Sequence, residues 1–300
     1  MKELDSVRKI AKAISAAENG DNRILPILKE AFKLSGNAYI LGVTGSPGAG
    51  KSTLVDQLAL FARTLNKKVA VLAVDPSSPY TGGAILGDRI RMSQAASDHS
   101  IYIRSLASRG ALGGLSRAVL DSVHILDAAG FDLIIVETVG VGQGEVDIVR
   151  VADTVIVTLV PGMGDAVQTF KAGIIEIADL FVINKSDREG ADLLERDLNL
   201  LLSLGDLKGW KPIITRTIAT SGEGIGKLYS SIEEHQKWLK DSKQGEVKNK
   251  NRLREKIRTV AVGRFLSKFS EDLAKPLEES VERCLMKKSD PYTEAEKLHA

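Results

Sequence analysis

The sequence predicts an α/β fold: a doubly wound, mostly parallel sheet of the P-loop type, with helical extensions at both ends. Three observations carry that expectation. Short β-branched runs alternate with helical stretches through the middle of the chain, the pattern of a parallel sheet covered on both faces. A phosphate-binding motif, G-x-x-x-x-G-K-S, begins at Gly45, directly after one such run and directly before a helical segment. A second motif, N-K-x-D, closes a later run with Asn184, Lys185 and Asp187.

Residues 1–37 hold apolar side chains at helical spacing, among them Val7, Ile10 and Ile14, then Ile24, Ile27, Leu28 and Ala31, and read as an N-terminal helical segment. Strands are expected at 38–44, 68–75, 100–104, 131–137, 154–160, 179–184 and 212–219, inside a nucleotide-binding domain of residues 38–240. Open sheets of this kind bind ligands beyond the C-terminal ends of their strands, where Asp75, Glu137, Pro161 and Asn184 fall. The polar stretch 241–250 reads as a linker. Past it, Leu253, Ile257, Val260, Ala261, Phe265, Leu266, Phe269 and Leu273 stripe a helix, and Pro276 starts or kinks another that carries Leu277, Val281 and Leu285. This arm, 241–300, is too short to bury its stripe alone, so it docks on its own core or on a second copy.

Composition narrows the function classes. With 300 residues, 43% of them hydrophobic and 27% charged, the chain is an ordinary globular protein. A net charge of +2 makes no case for nucleic acid or a membrane surface. The basic run from Lys248 to Arg258 contains Glu255 and no aromatics to stack bases. One cysteine, Cys284, excludes an intrachain disulfide, and the first residues lack the apolar core of a secretory signal. The expected location is cytoplasmic.

The motifs specify chemistry. In Gly45, Ser46, Pro47, Gly48, Ala49 and Gly50 the glycines allow successive N–H groups to face one anion, at the positive end of the helix that Lys51, Ser52 and Thr53 begin. Lys51 would reach the β- and γ-phosphates, and the Ser52 hydroxyl would hold Mg²⁺. Guanine offers two donors, N1–H and its amine, which suit the two oxygens of Asp187. Adenine presents an acceptor instead and would leave the carboxylate unpaired. Asn184 can bond other edges of the base, and the Lys185 stem can cover its face. Backbone N–H groups at Ala219 and Thr220 could meet the guanine carbonyl, and the spacing fits a plain strand-to-helix turn equally well. Two glycine-rich segments, 75–92 and 136–145, read as switches. They bring Asp75, Asp88 and Glu137 as carboxylates for the metal or its waters, and the Gly140 N–H for the γ-phosphate. No water-orienting residue stands out. Gln143 is one candidate, and Arg89, Arg91, Arg109 or a partner's arginine could complete the site.

The order and spacing of these motifs strongly resemble the methylmalonyl-CoA mutase-associated GTPases, the MeaB/ArgK (LAO/AO transport ATPase) group of the G3E GTPases. The carrying stretches are 45–53, A-V-D-P-S-S at 73–78, 82–92, V-E-T-V-G-V-G-Q at 136–143, P-G-M-G-D-A-V-Q at 161–168 and N-K-S-D at 184–187. Departures are mild, with Ala84 and Gly144 where serine is common and Arg89 where lysine is common. The resemblance implies a GTPase with a C-terminal dimerisation arm. It also implies a chaperone role for an adenosylcobalamin-dependent acyl-CoA mutase, gating cofactor delivery and protecting the mutase. It puts Asp165, Gln168 and Lys171 on a partner-coupled surface. Two other readings stand beside it, a nickel-insertion GTPase for hydrogenase or urease and a nucleotide-dependent scaffold that hydrolyses nothing. Nickel needs soft or imidazole ligands, and the four histidines and one cysteine form no cluster in the sequence. The cobalamin-ligating pattern D-x-H-x-x-G is also missing, since Asp121 and His124 have the wrong spacing.

Overall fold

A computed structural model of the chain describes residues 2–76, 95, 97–98, 100–108, 117–138, 147–162, 175–204 and 209–298. Seven strands, β1 (Tyr39–Gly45), β2 (Val69–Pro76), β3 (Tyr102–Ser108), β4 (Leu133–Thr138), β5 (Thr154–Leu159), β6 (Leu180–Asn184) and β7 (Ile213–Thr217), form one sheet. Its order is β3-β2-β4-β1-β5-β6-β7, and each neighbouring pair runs parallel. β1 is therefore flanked by β4 and β5, which places the phosphate loop at the middle of the sheet's C-terminal edge. All seven expected strands are present. β3 starts later than residue 100 because Asp98 captures the Ser100 N–H, at 2.9 Å, and its carbonyl the Ile101 N–H, at 3.0 Å, in a turn.

Helices α1 (Val7–Glu18), α2 (Leu25–Leu34), α3 (Lys51–Thr64), α4 (Arg117–Ala128), α5 (Ala191–Leu204) and α6 (Ile225–Asp241) surround the sheet. One apolar core joins Ile10 and Ile14 of α1, Val119 and Val123 of α4, and Leu194 and Leu198 of α5 to one sheet face. The other joins Leu54 and Leu58 of α3 and Leu228 and Ile232 of α6 to the opposite face. β4, β5 and β6 are buried along their whole length, which is why their sequences show continuous apolar runs rather than alternation.

The chain divides into two compact units, Met1–Arg252 and Leu253–Ala300. The N-terminal helices belong to the first. The Asp127 carboxylate of α4 gathers the N–H groups of Gly36, Asn37 and Ala38 at 2.6, 3.2 and 3.1 Å, and Arg104 of β3 donates to Glu18 of α1 at 3.0 Å. His124 of α4 bonds the Ser35 hydroxyl at 2.9 Å and meets the edge of Phe32. Among the described residues, no helix is long and apolar enough to cross a membrane.

The stretch 241–250 is not the linker its polarity suggested. α6 runs through Asp241, and a 42-residue helix, α7 (Gln244–Leu285), starts almost at once. Its first turns, which belong to the first unit, are polar because charge clasps them to the segments that lead into β5 and β6. Lys248 donates to Asp179 at 3.0 Å and to the Asp153 carbonyl at 2.8 Å, while Arg252 donates to Asp153 at 2.5 Å and to the Val151 carbonyl at 2.7 Å. The same carboxylates receive the N–H groups of Ile40 and Val155, at 2.8 and 2.9 Å. Pro276 lies inside α7, which continues to Leu285. In the second unit α8 (Pro291–Leu298) is capped by Asp290, which accepts from the Tyr292 and Thr293 N–H groups at 3.0 Å each. Glu294 of α8, bonded by Arg283 and Lys297, is held far below the usual carboxylate range.

A fully buried histidine sits beside the clasp. His235 bonds Thr154 through Nδ1 at 2.5 Å, lies 3.3 Å from Asp179 through Nε2, and stacks against Trp238, with Trp210 tilted beside it. Burial pushes its imidazole down to about 4, Asp179 opposes that shift, and Lys248 adds to it. The unfolded chain, titrating near the ordinary value of about 6.5, therefore binds this proton more readily than the folded one. Stability is complete above that value and is lost as pH falls through the window toward 4. His235→Gln should flatten this acid-side slope by up to about 1.4 kcal/mol per pH unit, measured by calorimetric unfolding at several pH values. An unchanged slope would contradict the assignment.

Candidate functional site

The phosphate loop is shaped by what its glycines permit. Gly45 has φ 136°, and a Cβ there would lie 2.1 Å from the Thr158 carbonyl oxygen of the adjacent strand. Gly50 caps α3 with φ 83°, and a Cβ there would lie 2.5 Å from Asn184 Nδ2. No other residue type fits either place. α3 begins at Lys51, so its first N–H groups open onto the loop, a ready anion site.

Lys51 is buried and folds back over the loop, with Nζ donating to the carbonyls of Gly45 at 2.6 Å and Ser46 at 3.1 Å. The ammonium is thus held against the first two carbonyls of the loop. The Ser52 hydroxyl donates to Glu137 Oε1 at 2.7 Å, and Glu137 is buried near the end of β4. The sequence assigned both to one metal but could not show that they bond each other directly. A hydroxyl and a carboxylate converging beside a phosphate loop form an all-oxygen donor pair, suited to a hard divalent cation. The backbone of Asp75 lies near the end of β2, next to Ala107 of β3, and its side chain falls outside the described residues. So do Asp88, Arg89, Arg91, Arg109, Gly140, Gln143, Asp165, Gln168 and Lys171.

The second motif reaches the loop directly. Asn184 is 2% exposed, and both ends of its amide are engaged. Nδ2 donates to the Ala49 carbonyl at 2.9 Å, while Oδ1 accepts from the Thr217 hydroxyl and the Ala219 N–H, each at 3.1 Å. One side chain therefore fastens the phosphate loop to the turn after β7. Two of the expected base contacts are already engaged within the protein. The Ala219 N–H bonds Asn184, with exposed Thr220 next in the turn. Asn184 keeps one Nδ2 hydrogen for a base and acts first as a strut. Lys185, at φ 54°, sends Nζ to the Gly48 carbonyl at 2.8 Å, so its stem runs alongside the loop. Asp187 is exposed in the following turn. The turn after β7 is closed by Gly224, where a Cβ would lie 2.2 Å from the Arg216 carbonyl oxygen. Sequence reasoning missed the strut because a contact between residues so far apart in the chain leaves no local pattern.

A central strand running into a phosphate loop, with N-K-x-D tied to it across the sheet edge, defines a P-loop protein of the GTPase class. The chain belongs to the MeaB family, described as methylmalonyl-CoA mutase-associated GTPases, whose model matches residues 10–274. A Pyrococcus horikoshii protein provisionally named a GTPase is 49% identical over 293 residues, 96% of this chain and 92% of that protein. GTPase ArgK of Escherichia coli is 40% identical over 213 residues, 69% of this chain and 64% of its own length. The mouse methylmalonic aciduria type A homolog, mitochondrial, is 37% identical over 227 residues, 73% of this chain and 54% of that protein. A solved structure named as an LAO/AO transport system kinase superposes with a TM-score of 0.71 at 26% identity, covering 99% of this chain and 94% of the other.

If Asn184 is the strut between loop and turn, Asn184→Asp should cost about 1–3 kcal/mol of nucleotide-free stability, because a carboxylate cannot donate to the buried Ala49 carbonyl. Urea unfolding of the two proteins measures this. A loss within experimental error would show that the amide is dispensable.

Proposed function

We propose that this chain binds GTP in preference to ATP and hydrolyses it slowly alone and faster with a partner. In this reading the cycle gates cofactor loading into, and protects, an adenosylcobalamin-dependent acyl-CoA mutase. The observation that carries the nucleotide reading is the Asn184 strut, which makes the phosphate loop and the N-K-x-D turn one site instead of two motifs. The family's description and the name of its mouse member support the mutase as partner.

Phosphoryl transfer to water is largely positioning and charge stabilisation. The amides of residues 45–53 and Lys51 would grip the phosphates, the ammonium turning one hydrogen from a loop carbonyl toward phosphate oxygen. Ser52, Glu137 and Asp75, with Asp88 further out, would hold Mg²⁺, which when bound screens phosphate charge. The Ser52–Glu137 pair fits that ion in donor chemistry. Asp187 would pair with guanine N1–H and the amine, the Lys185 stem would cover one face of the base, Thr220 would offer its N–H to the carbonyl, and Gly140 would contact the γ-phosphate. Asp165, Gln168 and Lys171 would face the mutase. A homodimer is also part of the reading, supported by exposed Ile257, Phe265, Leu277 and Leu285 along α7, an apolar stripe that the second unit leaves open to solvent.

Titration calorimetry should show GTP binding well ahead of ATP. Asp187→Asn should weaken GTP by at least about tenfold, the worth of one charged hydrogen-bond pair, and shift preference toward xanthosine triphosphate. Equal affinity for GTP and ATP would refute the guanine reading. Co-purification with candidate mutases in GDP and in a non-hydrolysable GTP analogue tests the partner, and equal capture in both states would speak against a switch.

A further inference from the structure

Two threonines face each other where the ladder between β1 and β4 ends. Thr138 Oγ1 donates to Thr44 Oγ1 at 2.9 Å, and both side chains are buried. Their register partners on the outer strands, Val157 of β5 and Val74 of β2, are buried apolar residues of one core. Valine has nearly the same shape and carries no hydroxyl to desolvate, so packing alone would favour it. The two hydroxyls satisfy each other and, in doing so, fix how the strand ends sit.

Their neighbours give that fixation a purpose. Thr44 precedes Gly45, whose carbonyl holds Lys51 Nζ. Thr138 follows Glu137, whose carboxylate receives the Ser52 hydroxyl. The register between β1 and β4 last pairs Val43 with Glu137, while Thr138 is still paired to Val74 of β2 and Thr44 to Val157 of β5, so the hydroxyl bond is the link between β1 and β4 one step beyond their own ladder. The same part of β1 is gripped from another side. A Cβ on Gly42 would lie 2.7 Å from Ile148 and 2.8 Å from Ala152, so the chain that enters β5 packs directly on the β1 backbone.

We propose that Thr138, acting through Thr44, is a positioning residue that holds the Glu137 carboxylate against the Ser52 hydroxyl and so sets how strongly Mg²⁺ tightens nucleotide binding. The inference rests on the nucleotide reading of the site given above. It predicts a specific defect. Losing the hydroxyl bond would leave the strands and the loop in place but let the end of β4 shift relative to α3.

The test is the Mg²⁺ midpoint for tightening GDP, read by titrating the ion into protein and a fluorescent GDP analogue. Each affinity is divided by its value in EDTA, so a general loss of nucleotide binding cancels. Thr138→Val and Thr44→Val should each raise the midpoint about fivefold, the effect of roughly one hydrogen bond. The double variant should raise it about fivefold as well, since both substitutions break the same bond. Thr138→Ser, which keeps the hydroxyl and drops the methyl, should return to within about twofold of the unsubstituted chain. Unmoved midpoints in the single variants would overturn the inference, as would a double variant near the product of the two, or a serine variant as impaired as valine. Should Thr138→Val fail to fold, Thr44→Val and Thr138→Ser still decide the question. A wild-type chain whose GDP affinity ignores Mg²⁺ would overturn the site reading first, whereas a normal wild-type midpoint with unmoved variants would remove this inference alone.

Discussion

The site depends on one buried amide. Asn184 stands where three segments from distant parts of the chain converge, the loop after β1, the end of β6 and the turn after β7. Backbone groups in loops are usually satisfied by water. Here the Ala49 carbonyl and the Ala219 N–H are satisfied by a single side chain almost sealed from solvent. Its two ends cannot be exchanged, because only the NH₂ can serve the carbonyl and only the oxygen can serve the N–H and hydroxyl. The separation between the loop after β1 and the turn after β7 is thereby set by the length of one asparagine. Gly50 is the counterpart of that arrangement, since any larger residue would displace the same Nδ2.

Much of the fold was legible because the signals are local. β4 and β5 are short apolar runs, buried on both faces, and such runs announce themselves in one sequence. The phosphate loop was legible for the same reason, its function lying in consecutive backbone groups. What the sequence concealed was pairing at a distance. The motifs assign Ser52 and Glu137 to one metal without telling that they bond each other directly, and nothing near Ala219 tells that its N–H is taken by Asn184. The stretch 241–250 was misread for a related reason. Polarity there looked like solvation, whereas Lys248 and Arg252 are polar because Asp179 and Asp153 await them. A charge run on a helix can mark a docked end as readily as a free one.

The clasp also fixes the start of the long helix, where the Ser242 hydroxyl accepts from the Gln244 N–H at 3.5 Å. Its first turns are fixed by ion pairs to loops that themselves cap the first N–H groups of β1 and β5. Partly buried pairs of this kind are costly to break singly, since the remaining charge is stranded. Carboxylates at one end of the sheet and the phosphate loop at the other therefore bracket β1, the strand from which the site is built.

The placement of the aromatic rings has a practical consequence. The chain contains two tryptophans, and both stand around His235, with the Trp210 indole N–H bonded to the carbonyl of Asp179, just before β6. They lie toward the N-terminal ends of the strands, opposite the edge that carries the phosphate loop. Intrinsic emission from this protein thus watches the root of the long helix and is nearly blind to whatever enters the loop, so an optical assay of occupancy has to bring its own dye.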